Sequence, residues 1–259
     1  MVATPLLSAT GEVLSRIERA DRVILALDFD GTLAPIAERP ETAAMPRETA
    51  ALLRDLAAND HLRIVILSGR ALDDLRSRID LDCILVGNHG LEISGGDLSF
   101  VHDVASRLRP AIECFCSDIE AALEGVGGVQ IENKEFSATV HYRRAPIDLV
   151  EWIQATIHLV ARPYAEWLVL KPARKAWEIR PRVAWNKGSA LNVVLRSLPG
   201  LEPVVICAGD DVTDEDMFDV LPDCVSIQVG GRTPTAARYQ VSGPEDLAVF
   251  LGALAAAFV

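Results

Sequence analysis

The 259-residue chain has no basic run and no stretch in which basic and aromatic residues interleave. With 25 Lys+Arg against 37 Asp+Glu its formal net charge is −12, which argues against nucleic acid and anionic membrane surfaces as partners. It lacks paired Cys-x-x-Cys spacing. Its five cysteines, Cys83, Cys114, Cys116, Cys207 and Cys224, form an odd set and are expected to be reduced and buried, not a disulfide or zinc framework. Cys114 and Cys116 fall in a helical pattern, which favours packing over metal binding. The N-terminal stretch has neither a basic start nor a continuous apolar core, and Glu12 comes early, so a secretory signal is not expected. No segment has the length of a membrane span, and the apolar tail Leu247 to Val259 reads as a packed terminal helix. The cytoplasm is therefore the expected compartment. Nor does a Gly-x-Gly-x-x-Gly open a helix after a strand: Gly125-Val126-Gly127-Gly128 leads into a strand and reads as a turn. Low-complexity segments are absent.

What the chain does have is 50% apolar content, enough for one large core or a core plus a smaller module. Two short, branched, uninterrupted runs, Val23-Ile24-Leu25-Ala26-Leu27 and Val204-Val205-Ile206-Cys207-Ala208, read as strands buried on both faces of a parallel sheet. Each is followed at once by carboxylates: Asp28-Phe29-Asp30-Gly31-Thr32 after the first, Gly209-Asp210-Asp211-Val212-Thr213-Asp214-Glu215-Asp216 after the second. Such residues emerge at the C-terminal edge of the sheet, where open α/β sheets bind ligands. Either cluster alone is equally well a helix cap or a solvated loop. Brought together, the carboxylates repel unless a cation intervenes, and a hard ion with oxygen ligands, Mg²⁺, is the economical choice. Two further pieces fall in place: the strand Leu62 to Leu67 ends in Ser68-Gly69-Arg70, and Asn186-Lys187-Gly188 opens a helical stretch.

From Val23 to about Val86 strand and helix alternate, and the alternation resumes near Lys187, which implies a doubly wound parallel sheet with helices on both faces. Between them the rhythm becomes helix, two strands, helix, two strands, from the helix at about Ser106 to Leu123 to the strand at Ala176 to Arg180. That doubled unit implies an open-faced α/β layer with one sheet face bare. The expected division is residues 1–103 for the first part of the core, 104–182 for an inserted cap and 183–259 for the rest of the core.

In order and residue type these pieces resemble the haloacid dehalogenase-like phosphatases, in which a Rossmann-like core carries four motifs. Asp28 and Asp30 match the first, Ser68 the second, Lys187 the third, and Asp210 with Asp214 the fourth. The resemblance implies that Asp28 attacks phosphorus to give an aspartyl-phosphate and that Asp30 serves as acid and then base. It implies Mg²⁺ at Asp28, Asp210 and the Asp30 main-chain carbonyl, supported by Asp211 and Asp214. Ser68, Gly69 and Lys187 would meet the phosphate. Arg70 would either join them or bridge core to cap.

Other stretches are similar to those of trehalose-6-phosphate phosphatases: Gly87-Asn88-His89-Gly90-Leu91-Glu92, Glu132-Asn133-Lys134-Glu135-Phe136-Ser137, Val140-His141-Tyr142-Arg143 and Trp177-Glu178-Ile179-Arg180-Pro181. This resemblance spans roughly residues 23 to 230 and implies an enzyme acting on a small sugar phosphate; a monomer is expected. The roles it implies for sugar hydroxyls fall on Glu132, Lys134, Arg143 and Glu178. A basic position four residues before that glutamate is Arg174 where Lys is expected, with Lys175 beside it, and either would reach the ligand. Carboxylate acceptors interleaved with cationic donors suit hydroxyls, which both donate and accept. The same polar face, read from alternation alone, is a solvated sheet surface with cross-strand ion pairs. Competing functions are a phosphatase for glucosylglycerol phosphate or sucrose phosphate, a response-regulator receiver, for which the chain is too long, and a non-catalytic sugar sensor.

Overall fold

The computed structural model describes residues 3–198, 203–221, 223–232 and 234–258. The chain divides into two compact units, residues 1–100 with 185–259, and residues 101–184.

In the first unit, among the described residues, nine strands form one sheet. Their order across it is Thr4–Pro5, Tyr239–Val241, Val225–Val229, Val204–Gly209, Val23–Asp28, Leu62–Leu67, Ile84–Gly87, Glu92–Gly95 and Leu98–Val101. From Thr4–Pro5 to Ile84–Gly87 every neighbour is parallel, and Glu92–Gly95 then pairs antiparallel to Ile84–Gly87. The physical cause is visible in Val23–Asp28, whose residues are all buried. Val23, Leu25 and Leu27 enter a core shared with Val13, Leu53, Phe250 and Leu254, while Ile24 and Ala26 enter a second with Ala190, Leu191, Val194 and Met217. A strand flanked by helices on both faces has no polar side, which is why its sequence runs apolar without alternation.

Val23–Asp28 lies between Val204–Gly209 and Leu62–Leu67, so the chain winds away from it in both directions. That reversal makes its C-terminal end the switch point of the sheet. At the far edge, Phe100 stacks on Trp185 with ring centroids 5.5 Å apart. Trp185 Nε1 donates to the Gly90 carbonyl at 2.7 Å.

The second unit contains helices Asp103–Ala122 and Val150–Ala161 and four antiparallel strands in the order Gln130–Asn133, Ala138–His141, Ala176–Pro181, Leu168–Ala173. Ile112, Phe115, Ile119, Ile153 and Ile157 from the helices pack with Ala138, Val140, Leu168 and Ile179 from the sheet. Cross-strand registers Glu132↔Thr139 and Glu178↔Thr139 put these three side chains on the opposite face.

Elements that escape the sequence pattern are short or mixed. The helix Leu6–Ile17 carries Gly11 at its centre, which weakens helical propensity, and the strands at Glu92–Gly95 and Leu98–Val101 are only partly buried. Leu168–Ala173 runs past Leu170 through Pro172, which a strand accommodates only at a sheet edge, and this strand is the edge. Among the described residues no helix is long and apolar enough to cross a membrane.

Candidate active site

Parallel pairing of Ala208 with Leu27 brings Asp28 and Gly209 side by side at the carboxyl edge, with Asp210 next in the chain. After Asp28 the chain turns at once: the Phe29 carbonyl accepts from Leu33 N at 3.0 Å and Ala34 N at 2.8 Å, and Gly31 N donates to Ala34 O at 2.7 Å. Gly31 holds φ +89°, and a Cβ there would lie 2.2 Å from Asp210 Oδ2. Glycine is needed for both the backbone and the space.

Lys187 begins the helix Lys187–Ser197, capped by Asn186, whose Oδ1 accepts from Ser189 N at 2.8 Å. Its Nζ donates to Asp28 Oδ1 and to Asp214 Oδ1, both at 2.6 Å. Lys187 is 2% exposed, Asp28 4% and Asp214 0%, so this is a buried cation bridging two buried carboxylates. Asp214 is fixed from the other side by a capping box with Asp211, whose main-chain N–H donates to Asp214 Oδ2 at 3.0 Å. Asp28, Asp210 and Asp214 present oxygens within 4.8 Å of one another.

The charges do not balance. Burial, then Asp214 and Asp210, raises the Asp28 carboxyl well above the ordinary carboxylate range, against the pull of Lys187. Burial, with Asp214 and Asp211, pushes Asp210 up to about 7. Burial works against the Lys187 ammonium, but Asp214 and Asp28 more than compensate and hold its proton tightly. Three carboxylates around one ammonium leave excess negative charge in a dry setting. Asp28 Oδ2 is also buried with no hydrogen-bond partner. An all-oxygen cluster with an unpartnered carboxylate oxygen fits a hard divalent cation.

Ser68 follows the strand Leu62–Leu67, is buried, and accepts from Arg70 N at 3.1 Å. A Cβ on Gly69 would lie 2.4 Å from the His89 ring, and His89 itself holds a left-handed φ of 56°. The Arg70 guanidinium forks onto Asp30, Nε to Oδ2 and Nη2 to Oδ1, both at 2.7 Å. It also donates to Asp74 Oδ2 at 2.8 Å and Pro40 O at 2.9 Å, and lies 5.6 Å from the Phe29 ring centroid. Sequence reasoning anticipated a phosphate or a cap partner for Arg70 and passed over Asp74. The signal was there: Asp74 stands four residues from both Arg70 and Arg78 and pairs with both.

In the second unit Lys134 Nζ lies 3.9 Å from Glu132 Oε2 and 3.8 Å from Glu178 Oε1. His141 Nε2 is 2.9 Å from Glu132 Oε2, and Arg180 pairs with Glu178. Glu132, Lys134 and Glu178 thus form one polar cluster, to which the structure adds His141 and Arg180. Arg143 follows the strand Ala138–His141 and is half-buried. Arg174 and Lys175 form the exposed tip between Leu168–Ala173 and Ala176–Pro181, where Lys175 has φ 54° and its carbonyl accepts from Tyr142 N at 3.2 Å.

The chain is similar to known proteins in sequence and in fold. The family model described as trehalose-phosphatase matches residues 26–245. A trehalose-phosphate phosphatase of Mycobacterium marinum is 35% identical over 244 residues, 90% of this chain and 62% of the relative. A trehalose 6-phosphate phosphatase of Zea mays is 33% identical over 273 residues, 97% of this chain and 74% of that one. The chain therefore spans less than two thirds of the mycobacterial protein's length. The solved C-terminal domain of Candida albicans trehalose-6-phosphate phosphatase has the same fold, with a TM-score of 0.82 at 24% identity over 98% of this chain and 99% of that one.

Proposed function

Because the chain belongs to the trehalose-phosphatase family, we propose that it hydrolyses trehalose 6-phosphate to trehalose and phosphate. The observation that carries the reading is the Asp28 carboxylate: buried, with Oδ1 on Lys187 and Oδ2 without a donor. A carboxylate so placed is a nucleophile toward phosphorus. In the first half-reaction an Asp28 oxygen bonds to phosphorus, the bond to the sugar oxygen breaks, and Asp30 gives that oxygen its proton. In the second, water attacks phosphorus, Asp30 takes the water's proton, and the Asp28–phosphorus bond breaks to release phosphate. Lys187 supplies positive charge beside the phosphoryl oxygens, and Ser68 offers them a hydroxyl donor. Mg²⁺, held by Asp28, Asp210 and the Asp30 main-chain carbonyl with support from Asp211 and Asp214, would neutralise charge on phosphate and carboxylates alike. Glu132, Lys134 and Glu178 would hold sugar hydroxyls, with Arg143 and one of Arg174 and Lys175 assisting.

The test is a phosphate-release screen over sugar phosphates with Mg²⁺ and with EDTA. Trehalose 6-phosphate should be preferred, EDTA should abolish turnover, and Asp28→Asn should be inactive, because an amide offers no anionic oxygen. Preference for sucrose phosphate or glucosylglycerol phosphate would move the substrate within the same chemistry. Full turnover in EDTA would overturn the mechanism.

A further inference from the structure

Asp30 is the one carboxylate of the first cluster held by a guanidinium instead of an ammonium, and the difference is geometric. A fork of two bonds, each 2.7 Å, fixes both the place and the plane of the Asp30 carboxylate. The Asp30 side chain is 37% exposed, so without that fork it would sample other rotamers, whereas the Arg70 side chain is 7% exposed. Four of the five guanidinium N–H groups are committed, to Asp30, Asp74 and the Pro40 carbonyl. Asp74 is in turn gripped by Arg78 through Nε at 3.0 Å and Nη2 at 2.8 Å. Arg78 extends to the carbonyls of Glu41 at 3.2 Å and Ala43 at 2.8 Å. The result is a strut, Asp30 to Arg70 to Asp74 to Arg78, rooted in the neighbouring strand and in the helix Leu72–Arg78. Burial opposes the Arg70 charge, but Asp30 and Asp74 hold its proton firmly.

We infer that Arg70 is a positioning residue for the acid/base carboxylate, serving the transfer of the sugar-oxygen proton through Asp30 instead of binding the phosphate itself. The inference rests on the reading of Asp30 given above. It has a signature that neither phosphate binding nor a stabilising ion pair would produce. Proton donation matters most when the leaving oxygen is basic and little when it departs readily as an anion. A misplaced Asp30 therefore harms alkyl esters selectively, while a lost phosphate contact harms every ester alike.

The experiment measures kcat/KM for Arg70→Lys, Arg70→Ala, Asp74→Asn, Asp30→Asn and the parent protein. Substrates are dinitrophenyl, p-nitrophenyl and phenyl phosphate and trehalose 6-phosphate, with saturating Mg²⁺. Arg70→Lys keeps a cation in the site but cannot fork, and thermal melts verify that each variant is folded. Asp30→Asn should lose activity steeply with leaving-group basicity. Both Arg70 variants should follow the same trend, their loss on trehalose 6-phosphate exceeding that on dinitrophenyl phosphate by roughly 10- to 100-fold. Asp74→Asn should show a shallower version. A steep Asp30→Asn with a uniform loss in Arg70→Lys across all four esters would overturn the inference while leaving the acid/base reading intact. A uniform loss in Asp30→Asn would overturn that reading and the inference with it.

Discussion

Removing one carboxylate from the metal-free site should change how stability depends on pH. Asp210 titrates near 7 in the folded protein against an ordinary 3.8, chiefly because it is buried beside Asp214 and Asp211. A raised carboxyl binds its proton more tightly folded than unfolded. Its contribution is therefore complete below about pH 4 and is lost as pH climbs through about 7. At about 1.4 kcal/mol per pH unit the full difference is on the order of 4 kcal/mol. Remaining solvent access to Asp210 reduces this to roughly 2–3 kcal/mol. At about 2–4 °C per kcal/mol for a chain of this size, that is roughly 5–10 °C in melting temperature. Asp210→Asn carries no such group. In EDTA, the melting temperature of the parent minus that of Asp210→Asn should fall by this amount between about pH 4 and about pH 8. Mg²⁺ at the higher pH should raise the parent and move the variant little, because a cation that replaces the bound proton stabilises only the folded state. Circular-dichroism melts in EDTA and in Mg²⁺ suffice. A pH-independent difference in EDTA would refute carboxylate crowding, and equal protection of the variant by Mg²⁺ would refute Asp210 as its ligand.

Glu178→Ala and Lys134→Ala should each cost trehalose 6-phosphate hydrolysis on the order of 10²-fold, from about 1.5–3 kcal/mol per charged hydrogen bond, and cost p-nitrophenyl phosphate far less. Equal losses on both substrates would reassign the cluster to the stability of the second unit. Gly31→Ala should lower stability by roughly 1–3 kcal/mol through its left-handed backbone and displace Asp210, so that more Mg²⁺ is needed for half-maximal activity. Denaturant unfolding and a Mg²⁺ titration measure the two effects, and an unchanged Mg²⁺ requirement would contradict the close approach of Gly31 to Asp210.

Legibility in the sequence followed burial. Val23–Asp28 and Val204–Gly209 were plain because strands sandwiched between helices can carry no polar residue, which leaves apolar runs with the carboxylates at their ends. The second unit was plain for the opposite reason, since a sheet packed on one face alternates. Less legible was anything decided by partners distant in sequence. That Lys187 bridges Asp28 and Asp214 requires three segments to converge, and the motif order alone gave it only a phosphate to meet. Arg70 was visible, yet its commitment to Asp30 depends on a turn that starts only after Asp28. The edge strand through Pro172 was hidden because proline removes the donor that a strand assignment assumes.

The stacked rings of Phe100 and Trp185 bring the chain leaving the core and the chain returning to it to one place. Everything between them, an excursion of roughly 80 residues, is topologically a loop closed at that stack. The entropy of closing a loop grows only with the logarithm of its length, so an excursion of this size costs about 2 kcal/mol more to close than one of about ten residues. An insert with its own apolar interior easily offsets so small a cost. On the proposal that the polar cluster of the second unit holds the sugar, substrate preference should be exchangeable as a module by replacing what lies between those two rings, while the carboxylates and Lys187 stay on strands and a helix that the exchange does not touch.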